Sequence, residues 1–495
     1  MEINNETLFI FEIANNHQGS LSHGVKIIEA LAKVTKRFGI KSCVKLQYRD
    51  LNSIIHKDYR SSDIKHIKRF NETRLEDHEF KTLVNKIKEN GMITMCTPFD
   101  ENSVDKILNH GIDIIKVASC SANDWPLLEK ITKQKNDVIC STGGLNIQDI
   151  DKIISFFNHR NKNILGLLHC VGIYPTPIEK LHLNIINKLS KRYRNIKIGY
   201  SGHEDPENHN VVQMAIAKGA CILERHVGIE IDENKLNAYS LNEKQFNDWV
   251  RSALNAGIMN GVGEEKNVTK DEKDSMESLS RGVYASKEII KGNNIVEKDV
   301  YFAMPLNKGQ LKSSEYNLNI KSSKNYFPDE CIKEEVRDDK YKYIRSKIHN
   351  LRGLLNENKI YIGNDFNIEL SHHYGIEDFD KFGCIIINLI NREYCKKLIY
   401  ISKNQEHPVH YHLKKEESFQ ILHGSLNLEL DGNSYFLKEG QVQLIERKQL
   451  HSFSTKVGCV FEEISTTHYA NDSYYSDHRI SQIDPLKRKS FLENW

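Results

Sequence analysis

Along the first half of the chain, short apolar runs alternate with stretches in which apolar residues recur every three or four positions. The runs are Leu8–Ala14, Ser42–Leu46, Met92–Thr97, Ile114–Ser119, Asp137–Ser141, Ile164–Cys170, Ile196–Ser201 and Cys221–His226. Each ends in polar residues, the pattern of a buried strand that surfaces at one end. Between them lie segments such as GVKIIEALAKVTKRFG and DHEFKTLVNKIKENG, apolar at helical spacing and closed by glycine, which predict helices. Strands alternating with helices build a parallel sheet. Eight such units over residues 1–262 predict an α/β fold, a (β/α)8 TIM barrel. An open doubly wound sheet would have fewer strands, and no GxGxxG follows the first run.

After Val262 the pattern changes. EEKNVTKDEKDSME is charged and aperiodic, which predicts a linker. A compact piece over 278–338 follows, with short strand signals around Lys291-Gly292, and then a second polar stretch. From Tyr361 the chain is all-β to its end: CIIINLI, KLIYIS, ESFQILHGSLNLELDGNSYFLKEGQVQLIE and GCVFEEIST are short strands with glycine turns. Such spacing predicts a sandwich or barrel over 361–495.

Length fits this division, since 495 residues suffice for roughly three domains. Lys plus Arg number 69 and Asp plus Glu 67, a net charge of +2. That balance argues against a nucleic-acid partner. The longest apolar run, Cys384–Ile390, is too short to span a bilayer. The ten cysteines are scattered singly with no CxxC pair, which excludes a zinc ribbon and fits a reducing compartment. The first residues carry Glu and Asn where a signal peptide needs Lys or Arg, so a cytoplasmic protein is expected.

Chemistry in a (β/α)8 barrel sits at the C-terminal ends of the strands. Here those ends carry Glu12, Asn16 and His17; Lys45 and Gln47; Thr97; Lys116 and Ser119; Ser141 and Thr142; His169 and Tyr174; Ser201 and His203; Glu224 and His226. A lone strand-end serine is commonly a helix cap. Lysine inside a β-run is different, because it is rarely buried without an anionic partner. Lys45 and Lys116, with hydroxyls around them, suit a phosphate and a carboxylate; structural ion pairs are the alternative. His203 and His226 end adjacent strands and together suit a divalent metal.

The motifs FEIANNHQGSL, CVKLQ, CTPFDENSVDKI, IKVASCS, WPLLEKI, VICSTGG, LLHCVGIYPTP, IGYSGHE and AKGACILERHV run in order over residues 8–228. They resemble the strand motifs of sialic acid (nonulosonate) synthases. SRGVYASKEIIKGNNIVEKDV resembles the antifreeze-like (SAF) domain that follows the barrel in that family. The resemblance implies condensation of phosphoenolpyruvate with an open-chain aldose, giving a 2-keto-3-deoxy sugar acid and phosphate. It implies substrate contacts at Lys45, Thr97, Lys116, Ser119, Ser141, Tyr174 and Ser201, and a barrel metal, Mn2+ or Mg2+, on His203 and His226. Glu12 would position or deprotonate the attacking water or a sugar hydroxyl, a general-base role, and Gln47 and Glu224 would support the metal–sugar end. A homodimer with exchanged SAF domains is also implied. The chain departs from the family pattern at Gly172, at Cys120-Ser121, in GIEIDENKLNAYSL, which lacks Gly-Pro-Asp-His, and at Met304-Pro305-Leu306, where Arg-Pro-Gly is usual. Gly172 stands where the family's phosphate site often has Asn; the other changes fall on the sugar side and imply a sugar other than N-acetylmannosamine, unless a neighbour such as Lys308 replaces the missing arginine.

In the all-β region, His410-Tyr-His412-x4-Glu417-x6-Gly424 matches the first cupin motif, and Gly440-x10-His451 has the spacing of the second. HxH on a strand puts both imidazoles on one face. With Glu417 and His451 they form a ligand set for Mn2+, Fe2+, Ni2+ or Zn2+. HYHLKKEE and FEEISTTHYANDSYYSD resemble the cupins related to D-lyxose isomerase. That resemblance implies a sugar isomerase or a sugar sensor, with Glu416, Lys414 or Glu463 as the possible base. Three functions are therefore open: a synthase, a bifunctional isomerase–synthase, and a carbohydrate-binding regulator whose barrel is not catalytic.

Overall fold

The computed structural model describes residues 7–231, 235–261, 263, 266–318, 320–335 and 340–493. Val262 and Asp338, the expected ends of two domains, and part of the GIEIDENKLNAYSL stretch lie outside them. The chain divides into two compact units, Met1–Asn267 and Val268–Trp495.

The first unit is a closed barrel of eight parallel strands in sequential order: β1 (Leu8–Glu12), β2 (Lys41–Tyr48), β3 (Ile93–Pro98), β4 (Ile114–Val117), β5 (Asp137–Ser141), β6 (Ile164–Cys170), β7 (Lys197–Gly202) and β8 (Ile222–His226). β8 closes on β1, with Ile10 opposite Glu224 and Glu12 opposite His226. Alternation along each strand sorts the side chains. Outward-facing Phe9 and Phe11 pack on Trp249 of the helix Glu243–Asn260, with centroids 5.6 and 6.3 Å away. Inside, Leu8, Ile10, Cys43, Met95, Ile114, Ile139, Leu168 and Ile222 fill the lower barrel. The next inward positions toward the C-terminal ends are polar, so the site stands on an apolar plug. Two glycines let the plug close. A Cβ on Gly199 would lie 2.3 Å from the Ile222 carbonyl oxygen, and one on Gly166 would lie 2.5 Å from its Cδ1.

The helix Leu21–Phe38 shows how local signals set the frame. Ser20 accepts a hydrogen bond from the His23 amide at its start, and Gly39 ends it in the left-handed conformation at φ 60°. Ile27, Ile28, Leu31 and Val34 form its buried stripe.

In the second unit, β9 (Gly282–Ala285) pairs antiparallel with β10 (Val300–Ala303), over a core that includes Val283, Ile289, Ile295, Leu311, Tyr326 and Ile332. Met304, just after β10, is exposed. The rest is antiparallel: β11 (Asn367–His372), β12 (Gly383–Asn391), β13 (Tyr394–Ile401), β14 (Glu406–Tyr411), β15 (Glu417–Leu430), β16 (Asn433–Lys438), β17 (Val442–Ile445), β18 (His451–Ser454), β19 (Cys459–Thr466), β20 (Tyr474–Tyr475) and β21 (Lys489–Leu492). The sheet runs β20-β14-β18-β15-β19-β13-β12-β11-β21, with β16 and β17 on β15.

Two stretches read from sequence as polar connectors carry helices. Lys270–Ser278 is capped by Thr269, whose side chain accepts from the Glu272 amide. Lys340–Glu357 buries Ile344, Ile348, Leu351 and Leu355 with Ile368, Leu370 and Ile387 of the sheet. Its fully buried stripe is thin, four residues flanked by half-buried Tyr343 and Leu354 in a charged background, and tertiary packing decides the outcome. Among the described residues, no helix is long and apolar enough to cross a membrane.

Candidate active site

Four ionisable side chains meet above the apolar plug. Lys45 on β2 lies between two carboxylates, 2.5 Å from Glu12 Oε2 on β1 and 2.8 Å from Glu224 Oε2 on β8. Glu224 also receives Ser201 Oγ at 2.7 Å and lies 3.3 Å from Lys116 Nζ on β4. Lys116 donates to Ser141 Oγ at 2.7 Å. All of these residues are buried, Lys45 and Lys116 at 4% and 2% exposure. The lysines thus have internal carboxylate partners, the arrangement held open from sequence as structural ion pairs. A ligand anion would have to share them with Glu12 and Glu224.

The electrostatics follow from that sharing. Burial pushes Glu224 up, but the two lysines and its hydrogen bonds outweigh it and hold the carboxyl well below its usual range. Glu12 has one lysine partner, Lys45, and accepts the Ala14 amide at 2.8 Å, and burial, aided by the Glu224 charge, outweighs both and raises it. Burial lowers Lys45, yet Glu12 and Glu224 more than reverse this. Lys116 has one carboxylate partner, and there burial wins and lowers it. Two carboxylates in one site are therefore pushed in opposite directions, as acid–base sites require.

A second group lies at the end of β7 and β8. The rings of His203 and His226 are 5.3 Å apart, and Tyr174 stands 4.3 Å from His203. Burial pushes both histidines down, His203 to about 4, so both are neutral near neutral pH. His203 Nδ1 lies 3.3 Å from the Val171 carbonyl and donates to it, which leaves Nε2 with its lone pair. Two neutral imidazoles on adjacent strands fit a divalent metal. Tyr174 is exposed. Ser119 sits in a turn after β4, where its Oγ accepts from the Gly143 amide at 2.9 Å. Thr97 is buried on β3. Gln47 accepts from Arg49 at 2.7 Å.

Sequence reasoning missed Arg49 and Tyr239. Arg49 lies over Phe70 and Phe99, at 4.1 and 3.8 Å from their centroids. Tyr239 packs against Tyr174, His203 and His226 at 5.2, 5.9 and 5.1 Å. Tyr239 belongs to the stretch that departs from the family pattern, so its sequence offers no motif to find it by.

The C-terminal domain assembles a separate cluster. His410 pairs with His451 across β14 and β18. The ligand atoms of His410, His412 and His451 lie within 4.8 Å of one another, and Glu417 Oε1 is 3.0 Å from His451 Nε2. Each Nδ1 donates to a backbone carbonyl: His410 to Pro408 at 3.1 Å, His412 to Asp472 at 2.6 Å, His451 to Gln449 at 3.0 Å. The lone pairs are thereby fixed on Nε2, which is how metal-binding histidines are oriented. The Nε2 atoms of His412 and His451 are buried and face Glu417 Oε1 at 3.7 and 3.0 Å, acceptor against acceptor with no donor between them, while Glu417 Oε2 pairs with Lys415. Lone pairs converging without a donor fit a metal ion. Lys415, missed from sequence, is buried between Glu417 and Glu463, 3.0 Å from the latter. Of the three possible bases, Glu463 thus reaches the cluster through Lys415, whereas Lys414 lies over Tyr469 on the exposed side. Glu416 lies just before β15, where its amide donates to Thr466 Oγ1 at 3.2 Å. Asp472, also missed, accepts from the amides of Leu413, Lys414 and Lys415. His373, Cys384 and His407 form a further buried group of potential ligands.

Comparison with known proteins bears on the first unit and on part of the second. Residues 32–265 match the NeuB family model. The N,N'-diacetyllegionaminic acid synthase of Campylobacter jejuni is 26% identical over 341 residues, 66% of this chain and 99% of that protein. Human N-acetylneuraminate-9-phosphate synthase is 26% identical over 68% of this chain and 94% of its own length. A crystal structure from Chromobacterium violaceum, described as a spore coat polysaccharide biosynthesis protein E, is 42% identical, covers 66% of this chain and 99% of that one, and superposes with a TM-score of 0.62. With that identity over the whole of a relative, and with the ordered motifs on a closed (β/α)8 barrel, the chain belongs to the NeuB family of sialic acid synthases.

Proposed function

We propose that the barrel joins phosphoenolpyruvate to an aldose, giving a nonulosonate-like 2-keto-3-deoxy sugar acid and phosphate. The observation that carries this is the Glu12–Lys45–Glu224–Lys116 network at the strand ends of a NeuB-family chain. Phosphoenolpyruvate C3 attacks the aldehyde carbon, water adds at C2, and the C2–phosphate linkage breaks to release phosphate. Lys45 and Lys116 hold the substrate's anionic groups, with Ser141, Ser201, Ser119 and Thr97 as neutral donors and Tyr174 at the mouth. Glu12, raised by burial, takes the proton of the attacking water, a general-base role. Glu224 holds both lysines in register, and Gln47 supports the sugar end through Arg49. His203 and His226 would hold Mn2+ or Mg2+, which when bound polarises the aldehyde oxygen.

For the C-terminal domain we propose a cupin that holds its own metal on His410, His412, His451 and Glu417. The orphaned buried atoms of that cluster favour a second function, sugar isomerisation or sensing, over a purely structural domain. Exchange of the small β domain between two copies in a cytoplasmic homodimer completes the reading. The test is phosphate release from phosphoenolpyruvate with a panel of aldoses. Activity with at least one aldose, lost in Lys116→Ala, is expected. No release with any aldose would favour the regulator.

A further inference from the structure

A cavity of about 370 Å3 lies in the C-terminal domain, lined among others by Ser371, His373, Tyr411, Tyr475 and Arg488. Its size is within the range of small-molecule sites, about 300–1,000 Å3. Arg488 is the telling residue. Its Nε and Nη1 are buried and have no hydrogen-bond partner. Its neighbour Lys489 is tied to Glu369 at 2.7 Å, whereas the Arg488 guanidinium rests against the Tyr475 ring at 5.1 Å. Buried donors without an acceptor cost free energy, and a planar guanidinium fork is built to take a carboxylate or phosphate through two parallel bonds.

The other walls suit a sugar. Tyr411 and Tyr474 stack at 5.2 Å and give flat faces for C–H groups, while Ser371, Ser473 and Ser481 offer hydroxyls. Tyr475 lines the cavity and also stacks on His410 at 5.3 Å. His373 lines it too, with Nε2 3.0 Å from His407 Nε2. A ligand here would lie one aromatic ring from the His410–His412–His451 cluster. We propose that this cavity binds an anionic sugar, its carboxylate or phosphate held by Arg488. The site stands on the domain's own residues and does not depend on the barrel's reaction.

The test is calorimetric titration of the full-length protein with D-glucuronate, D-glucose 6-phosphate and D-glucose. Both anions, or one of them, are expected to bind more tightly than glucose, and the tighter of the two tells a sugar acid from a sugar phosphate. Arg488→Gln should weaken that binding about tenfold or more, the scale of a charged hydrogen bond, and Lys116→Ala should leave it unchanged. Ser473→Trp, which fills the cavity from a half-buried position, should abolish it and serves if Arg488→Gln does not fold. Glucose binding as tightly as the anions, no binding of either anion, loss of binding in Lys116→Ala, or an unchanged Kd in a folded Arg488→Gln or Ser473→Trp would each overturn the proposal.

Discussion

Replacing Glu224 by glutamine removes one charge from the centre of the barrel site while keeping its shape. The site holds two lysines and two glutamates, and Glu224 touches Lys45 at 2.8 Å and Lys116 at 3.3 Å. Without it, one positive charge is left uncompensated where the remaining groups are at most 4% exposed. Removing one partner of a buried pair costs about 3–5 kcal/mol. For a domain of this size each kcal/mol moves the melting temperature by about 2–4 °C, so the barrel transition should fall by about 6–20 °C. Lys116, already lowered by burial, sheds its proton at alkaline pH, so the loss should shrink there. A bound anion restores the missing charge, and ligand binding adds to stability by linkage. Phosphoenolpyruvate should therefore raise the melting temperature of Glu224→Gln more than that of the unaltered protein. Differential scanning calorimetry with and without phosphoenolpyruvate measures both effects. A variant melting within about 1 °C of the parent at neutral pH would refute the charge argument. An equal or smaller shift on adding phosphoenolpyruvate would refute the placement of the anion.

Gly199→Ala should lower the urea midpoint, since its Cβ would sit 2.3 Å from the Ile222 carbonyl oxygen and 2.6 Å from Leu168 Cδ2, and overpacking costs about 1–3 kcal/mol; an unchanged midpoint would show that the barrel floor can yield. His17 is pushed down to about 4, mainly by burial, and its Nδ1 accepts the Gly19 amide at 3.2 Å. The unfolded chain binds a proton there near pH 6.5 and the folded one does not, so stability present above that pH is lost as pH falls toward 4, at about 1.4 kcal/mol per unit. His17→Gln should reduce the slope of the unfolding free energy against pH, measured by urea titration, by that amount, and an identical slope would contradict it. Replacing His410 and His412 together by alanine should remove one of two bound metal equivalents and leave the one on His203 and His226; elemental analysis with an unchanged count would disprove it. In competition at equal concentration, N-acetylmannosamine should not show the highest kcat/KM, because Met304 has no donor for an acyl carbonyl; if it does, the reading of Met304 is wrong.

What could be read in the sequence divides along a physical line. Strand period and glycine-closed helices are local, and they placed all eight barrel strands, though Ser119 falls in a turn beyond β4 and β7 begins at Lys197 and ends at Gly202. HxH with Glu417 and His451 was legible because a strand period of two fixes which side chains share a face. Residues that act through tertiary partners were not. Lys415 sits in an ordinary run of charges, HLKKEE, where one lysine lies exposed over Tyr469 and the next is buried between two glutamates. Nothing local separates Lys414 from Lys415: both lie in the connection between β14 and β15, whose course is set by Asp472 accepting from their amides, 58 and 57 residues away in the chain. The two buried lysines of the barrel give the converse lesson. Their placement inside β-runs signalled an anionic partner, but composition alone does not say whether that partner is a ligand or a glutamate. In this fold it is Glu12 and Glu224, both themselves inward strand-end residues. The same alternation that aims a lysine into a barrel aims the carboxylates of neighbouring strands at it, so a charged mouth neutralises itself before any substrate arrives. An incoming dianion then competes with Glu224 for both lysines, and binding must raise the carboxyl that the lysines now hold low.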